Sequence, residues 1–139
     1  QENINCDLKW PNDILVNSKK LIGFLPRVIT RGKETKYVRI GLGMNVNNKT
    51  PSEGISLGQV IKTKNISEYY WTAKILHALQ NAIFINSKKK YIIQEANTFL
   101  NKSFLPKGYS SQNWKIKDID SNGNLRISSP TQKLILTRF

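Results

Sequence analysis

Three short segments carry residues that could do chemistry together. The first is Lys9-Trp10-Pro11-Asn12-Asp13. A lysine, an amide and a carboxylate at a strand end can meet a nucleotide, and Pro11 narrows the loop by fixing its own φ. Asp13 suits Mg²⁺ or a lysine partner, and Asn12 can both donate and accept hydrogen bonds. A solvated strand exit with an Asn-Asp turn would look the same. The second segment is Lys19-Lys20-Leu21-Ile22-Gly23-Phe24-Leu25. A glycine inside an apolar strand lets a ligand approach the backbone closely at Gly23. If Lys20 points into a pocket, its ammonium can neutralise a carboxylate and a phosphate together, which adenylate formation needs. Solvated lysines in a surface turn are the plainer alternative. The third segment is Ile40-Gly41-Leu42-Gly43-Met44-Asn45-Val46-Asn47. It is superficially similar to a dinucleotide glycine motif, but the third glycine is absent and no helix follows. Val46, Asn47 and Pro51 point to strand then loop, which excludes a Rossmann site. Paired glycines in a strand permit close approach to a flat ligand instead. Asn45 offers the donor and acceptor that an adenine edge requires.

The elements that must position these residues are strands. Cys6–Trp10 is short and alternating, and Ile14-Leu15-Val16 continues extended. Asn17-Ser18-Lys19-Lys20 is a polar turn. Pro26 cannot donate to a ladder, so an edge position or a bulge is expected there. Arg31-Gly32-Lys33-Glu34 is a hairpin turn leading into Tyr37-Val38-Arg39-Ile40. Ser56 to Ile61 reads as a short helix. Ser67 is an N-cap for a longer amphipathic one, with Tyr70, Ala73, Leu76, Ala82 and Ile83 near one stripe and Leu79 between them. A further helix is expected from about Lys89 to Asn101, burying Tyr91, Ile92, Ala96, Phe99 and Leu100. Phe104-Leu105-Pro106-Lys107-Gly108 is a linker. Beyond it Trp114–Ile119, Leu125–Ile127 and Leu134–Leu136 alternate, with Asn122-Gly123 supplying both left-handed residues of a tight hairpin turn. That β module is too small to stand alone.

The 139 residues, 39% hydrophobic, suffice for a packed core. The chain opens on Gln1, and its first strand follows at once, so it is expected to be cut from a longer protein. No apolar run approaches the length that crosses a membrane. One cysteine, Cys6, excludes an internal disulfide framework and fits a reducing, cytoplasmic compartment. With a single histidine, His77, a structural zinc site is disfavoured. The net charge of +13 raises a nucleic-acid reading. Scattered lysines among abundant Asn and Ile point instead to a composition bias, and the run Lys88–Lys90 falls at a helix start. His77, Cys6, Trp71 and Trp114 read as structural.

Taken in order and spacing, the three segments resemble the biotin–protein ligase family. Its pattern is Lys-Trp-Pro-Asn-Asp, then Lys-Leu/Ile-x-Gly-x-Leu, then Gly-x-Gly-x-Asn-x-Asn, then Pro and Ser-Leu. Lys9–Asp13, Lys20–Leu25, Gly41–Asn47, Pro51 and Ser56-Leu57 match it. The resemblance covers residues 7 to 60 most strongly. It implies an α+β fold: a mostly antiparallel sheet with helices, part of a class II synthetase-like catalytic domain over residues 1–103, then a small SH3-like β domain over 104–139. It implies ATP, biotin and Mg²⁺ as cofactors, and a two-step reaction. Biotin's carboxylate attacks the α-phosphate to give biotinyl-adenylate, and a lysine of a biotin carboxyl carrier protein then takes the biotin and releases AMP.

By position, the resemblance implies that Lys20 contacts biotin and the α-phosphate, and that Asp13 and Asn12 organise the phosphate and Mg²⁺ region with Lys9 behind them. Gly23 and Leu25 line the biotin pocket, and Gly43 and Asn45 sit at the nucleotide. A homodimer is left open; a membrane is not expected. Two departures stand out. The family's Arg-Gly-rich loop over the adenylate lies upstream of Lys-Trp-Pro-Asn-Asp and is absent here, so the isolated chain is expected to have little activity. Many members also carry Glu two residues after the Leu of the second segment, where this chain has Pro26-Arg27. The rival readings are a lipoate-type ligase, a non-catalytic nucleotide- or carrier-binding module, and a basic nucleic-acid-binding piece.

Overall fold

The computed structural model describes residues 4–84 and 89–137; Lys88 of the basic run lies outside them. The chain divides into two compact units, Gln1–Asp7 with Asn12–Ile66, and Leu8–Pro11 with Ser67–Phe139. The second takes up Lys9, Trp10 and the helices as well as the C-terminal strands.

In the first unit β2 (Asp13–Val16), β3 (Lys19–Arg31) and β4 (Glu34–Met44) form an antiparallel meander. Val16 and Lys19 pair across a two-residue turn in which Asn17 and Ser18 both take positive φ, 50° and 61°. That is the turn whose twist matches the flanking strands. Gly32, at φ 61°, occupies the first central position between the paired Arg31 and Glu34. β3 pairs with β2 only as far as Gly23, opposite Asp13. Pro26 therefore lies where β3 is flanked by β4 alone, on the edge its missing N–H requires.

Leu15, Val16, Leu21, Val46 and Leu57 are the buried apolar residues of this unit. α1 (Leu57–Ile61) starts at a capping box: the Ser56 hydroxyl accepts from the Gln59 N–H, and the Ser56 N–H donates to Gln59 Oε1 at 2.8 Å. The half-buried Cys6 donates its thiol to Ile4 O, and burial raises its pKa.

The second unit contains α2 (Glu68–Phe84), α3 (Lys89–Phe99) and the sheet β5 (Lys115–Ile119), β6 (Leu125–Ser128) and β7 (Lys133–Leu136). Its core is Leu100, Ile116, Ile119, Leu125 and Ile127, with Trp10, Ile93, Ala96, Tyr109 and Trp114 packed against it. Ahead of it, β1 (Asp7–Lys9) sends Leu8 into a bridge with Leu100.

Three expectations change here. On α2, capped by Ser67 Oγ accepting from the Tyr70 N–H, the half-buried stripe is Trp71, Ile75 and Leu79; Tyr70, Leu76 and Ile83 are 54%, 61% and 63% exposed. On α3 the buried side falls on Ile93, Ala96 and Asn97, while Tyr91, Ile92 and Phe99 face outward. The β5–β6 turn uses one left-handed residue, Gly123 at φ 85°, in a three-residue loop closed by Asp120 N–H donating to Asn124 O. Among the described residues no helix is long and apolar enough to cross a membrane.

Candidate active site

Lys20 and Gly23 are three apart, a spacing that puts side chains on opposite faces of a regular strand. The register breaks between them: Ile14 pairs with Ile22 but Leu15 pairs with Lys20, leaving Leu21 as the extra residue of a bulge. The bulge turns Lys20 onto the face of its partner Leu15, which is also the face of Asp13 and Gly23. There the Lys20 ammonium reaches Asp13 Oδ1 at 2.7 Å. The carboxylate is largely shielded, its side chain 14% exposed, whereas the lysine side chain is 48% exposed. The pair thus presents a half-open cation with a fixed counter-ion beneath it.

The same face continues as a floor. Gly23 pairs with Gly43 and Leu25 with Gly41, so all four project to the side of Lys20 and Asp13. A β-carbon on Gly43 would meet no atom within 4 Å, and one on Gly41 would touch Leu25 Cβ at 3.6 Å. Leu25 itself is 67% exposed. A flat, partly apolar molecule can lie along this floor with an anionic end at Lys20.

The backbone of Lys20 is held on several sides. Its N–H donates to Glu53 O at 2.8 Å, and its carbonyl accepts from the Ile55 N–H at 3.0 Å and from Asn45 Nδ2 at 3.2 Å. Asn45 Oδ1 accepts from Asn48 Nδ2 at 3.0 Å, and the Asn45 carbonyl accepts from the Leu57 N–H at 2.8 Å. Asn47 pairs both ways with Ile66, donating to its carbonyl at 2.8 Å and accepting from its N–H at 2.9 Å. Asn45, expected near a nucleotide, and Asn47 of the same motif therefore hold the loop after β4. Asn45's donor and acceptor are both used within the chain, a positioning role that the motif alone did not reveal.

Glu53–Ile55, which grips Lys20, also went unseen in the sequence. Its one signal is Gly54, where a β-carbon would come within 3.1 Å of Thr50 Cβ. Asn12 sends its amide nitrogen to the Phe24 carbonyl, and its own carbonyl accepts from the Phe24 N–H at 2.8 Å. Asp13, Asn12, Lys20, Gly23, Leu25, Gly43 and Asn45 thus all belong to the first unit. Lys9 belongs to the second, its ammonium 5.3 Å from the Phe104 ring centroid, and Trp10 Nε1 donates to Gly123 O at 3.0 Å. His77 is exposed on α2 near Asn81.

For a metal, the described residues contain no cluster of three His, Cys, Asp or Glu side chains. Asp13 is the carboxylate at Lys20, and it is already paired. The described residues alone do not build a standing Mg²⁺ site. One carboxylate oxygen fits only an ion carried mainly by phosphate and water.

The class of fold is an α+β, class II synthetase-like one. A biotin protein ligase from Aquifex aeolicus superposes with TM-score 0.78 at 20% identity, over 96% of this chain and 63% of that one. The same enzyme in complex with biotin and ATP gives 0.73 at 19% identity, over 94% and 58%. The model of the biotin/lipoate A/B protein ligase family matches residues 1–45. The bifunctional ligase/repressor BirA of Bacillus spizizenii is 45% identical over 47 residues, 34% of this chain and 14% of that protein; the Bacillus subtilis protein is 46% identical over 46 residues, 33% and 14%. The chain is thus similar to biotin protein ligases in fold and, over its first 45 residues or so, in sequence, and it spans less than two thirds of these relatives.

Proposed function

We propose that this chain supplies the lysine-bearing part of a biotin–protein ligase. The observation that carries the reading is the Lys20 ammonium, fixed by Asp13 and by the bulge, at the end of an open glycine floor. Biotin lies along Gly43, Gly41 and Leu25 with its carboxylate at Lys20. A carboxylate oxygen attacks the α-phosphorus of ATP, the bond to the β-phosphate oxygen breaks, and pyrophosphate leaves. An acceptor lysine amine on a biotin carboxyl carrier protein then attacks the acyl carbon, and AMP departs.

In the first step the ammonium draws two anions together and offsets charge at the α-phosphate, the kind of preorganised stabilisation worth several kcal/mol. Asp13 holds that ammonium in place and can offer one oxygen to Mg²⁺ arriving on the nucleotide. The biotin- and ATP-bound relative and the BirA matches support biotin over lipoate. The test is biotin-dependent pyrophosphate release, with lipoate as competitor, by the intact protein that contains this chain and by its K20M variant. Activity with biotin, lost in K20M, supports the reading; equal activity in K20M or a preference for lipoate overturns it. The isolated chain should turn over little or not at all.

A further inference from the structure

One rung beyond Leu25 and Gly41, the β3–β4 ladder pairs Arg27 with Arg39. The register is unbroken from Ile22 to Ile29, so both side chains leave the sheet on the face of Gly23, Leu25, Gly41 and Gly43. Opposed residues on one face stand about 5 Å apart at Cβ, and like charges there repel. Both arginines are exposed, and among the described residues neither has an ion-pair partner. The stretch from Arg27 to Arg39 also carries Arg31, Lys33 and Lys36 against a single acid, Glu34, which is bonded to Lys36 at 3.2 Å. A carboxylate at position 27 would have closed an internal pair with Arg39. Arginine leaves both charges to an external counter-ion.

The surroundings narrow what that counter-ion is. On the same face the rung is flanked by Leu25, 67% exposed, and by Tyr37, 53% exposed, which suit a folded protein surface better than a phosphate backbone. A second copy brings the same arginines and a net charge of +13, so it meets repulsion here. We propose that the Arg27–Arg39 rung, with Leu25 and Tyr37, docks an acidic patch of the acceptor protein beside its target lysine. The proposal rests on the ligase reading above. Arg27 lies four residues from Gly23, about 13 Å along the strand, a span that a protein surface covers while its lysine reaches the Lys20 end.

The test uses the intact protein and separates two readouts. One is biotin-dependent pyrophosphate release without acceptor. The other is biotin transfer from preformed biotinyl-AMP to a net-negative biotin carrier domain, followed against NaCl. In R39E the rung becomes an Arg–Glu pair that satisfies itself, so folding is not at issue. The expected result is a carrier KM raised ~10-fold or more and a flattened salt dependence, with kcat and pyrophosphate release unchanged. R27Q with R39Q should fall between. A carrier whose acids near the lysine are changed to Gln should show the raised KM with wild type and no further rise with R39E. The docking proposal falls if R39E leaves the carrier KM unchanged, if the neutralised carrier responds to R39E as strongly as the acidic one, or if R39E alters only self-association. If wild type releases no pyrophosphate with biotin, the ligase reading has failed and the docking proposal falls with it. If it does and R39E is silent, only the docking proposal has failed.

Discussion

The Lys20 side chain lies across the bare backbone of Gly23. A β-carbon at position 23 would come within 2.8 Å of both Lys20 Cε and Nζ, and within 3.4 Å of Asp13 Oδ1. The glycine thus serves the chain's own lysine, and the ligand-facing openness expected of it belongs to Gly43 across the ladder. In G23A the methyl group meets the mobile end of a lysine, so the fold should lose less than about 1 kcal/mol. The ammonium, displaced from Asp13, should lose its aim, and pyrophosphate release should fall by about 10²-fold, since an ångström of misplacement has that scale of effect. Chemical denaturation and the kinetic assay together check this; a large stability loss with proportionate activity loss would refute it.

Asp13 and Lys20 should separate in the two readouts. In D13N the ammonium keeps its charge but loses its anchor at 2.7 Å. Because the lysine is half exposed, the pair contributes at most about 1 kcal/mol to stability after solvent screening. The catalytic loss in D13N should be smaller than in K20M, which removes the charge itself. Activity in D13N at or below that of K20M would show that Asp13 does more than hold the lysine.

N45A tests whether that residue positions Lys20. It removes the hydrogen bond to Lys20 O and the one from Asn48, so a stability loss of about 1–2 kcal/mol is expected. A positioning role predicts a lower kcat for adenylate formation with KM for ATP nearly constant. A rise in KM for ATP alone would instead show Asn45 on the nucleotide.

The sequence made the sheet legible because its signals were local: alternation, turn residues and Pro26 at a place where β3 has a neighbouring strand on one side alone. The Lys20–Asp13 pairing could not be read the same way. It depends on a one-residue bulge at Leu21, and an apolar strand reads alike with or without a bulge. The α2 stripe failed for a related reason. Tyr70, Leu76 and Ile83 share the period with Trp71, Ile75 and Leu79, and a period says nothing about which neighbour packs on it. Asn45 had the right chemistry for a ligand, yet the backbone carbonyl of Lys20 is an equally good partner for its amide.

Acid should loosen the β5–β6 hairpin first. Asp120 is held below the ordinary carboxylate value of 3.8 by the Asn124 and Asn122 N–H groups, and Asp118 by its hydrogen-bonded pairing with Arg126. Both folded values are lowered, so the unfolded chain binds protons first as pH falls. The stabilisation is complete above the unfolded value near pH 4 and disappears as pH drops through the lower folded values. Thermal melts should show Tm falling along that limb. D120N keeps an acceptor for the backbone but no titration, so its acid limb should be flatter. Parallel limbs for D120N and wild type would rule the assignment out.

Asn97 should be the most costly polar substitution in the second unit. Its Oδ1 accepts from the Ile119 N–H at 2.7 Å, and its Nδ2 donates to Ile119 O at 2.9 Å and to Ile93 O at 3.0 Å. One amide therefore closes both backbone groups of a buried β5 residue and ties α3 to that strand. In N97A both groups of Ile119 lose their side-chain partner where water has little access, so about 2–3 kcal/mol should go. N97D keeps the acceptor and loses the donors, which leaves the Ile119 carbonyl facing a carboxylate, and it should be no better than N97A. Denaturant midpoints should shift at constant slope, and the Ile119 amide should exchange faster with solvent. Below the variant's melting temperature, pyrophosphate release should be near wild type, because Lys20, Asp13 and the glycine floor take none of their hydrogen bonds from Asn97. Activity lost in a folded N97A protein would mean that the α3–β5 tie serves catalysis as well as stability.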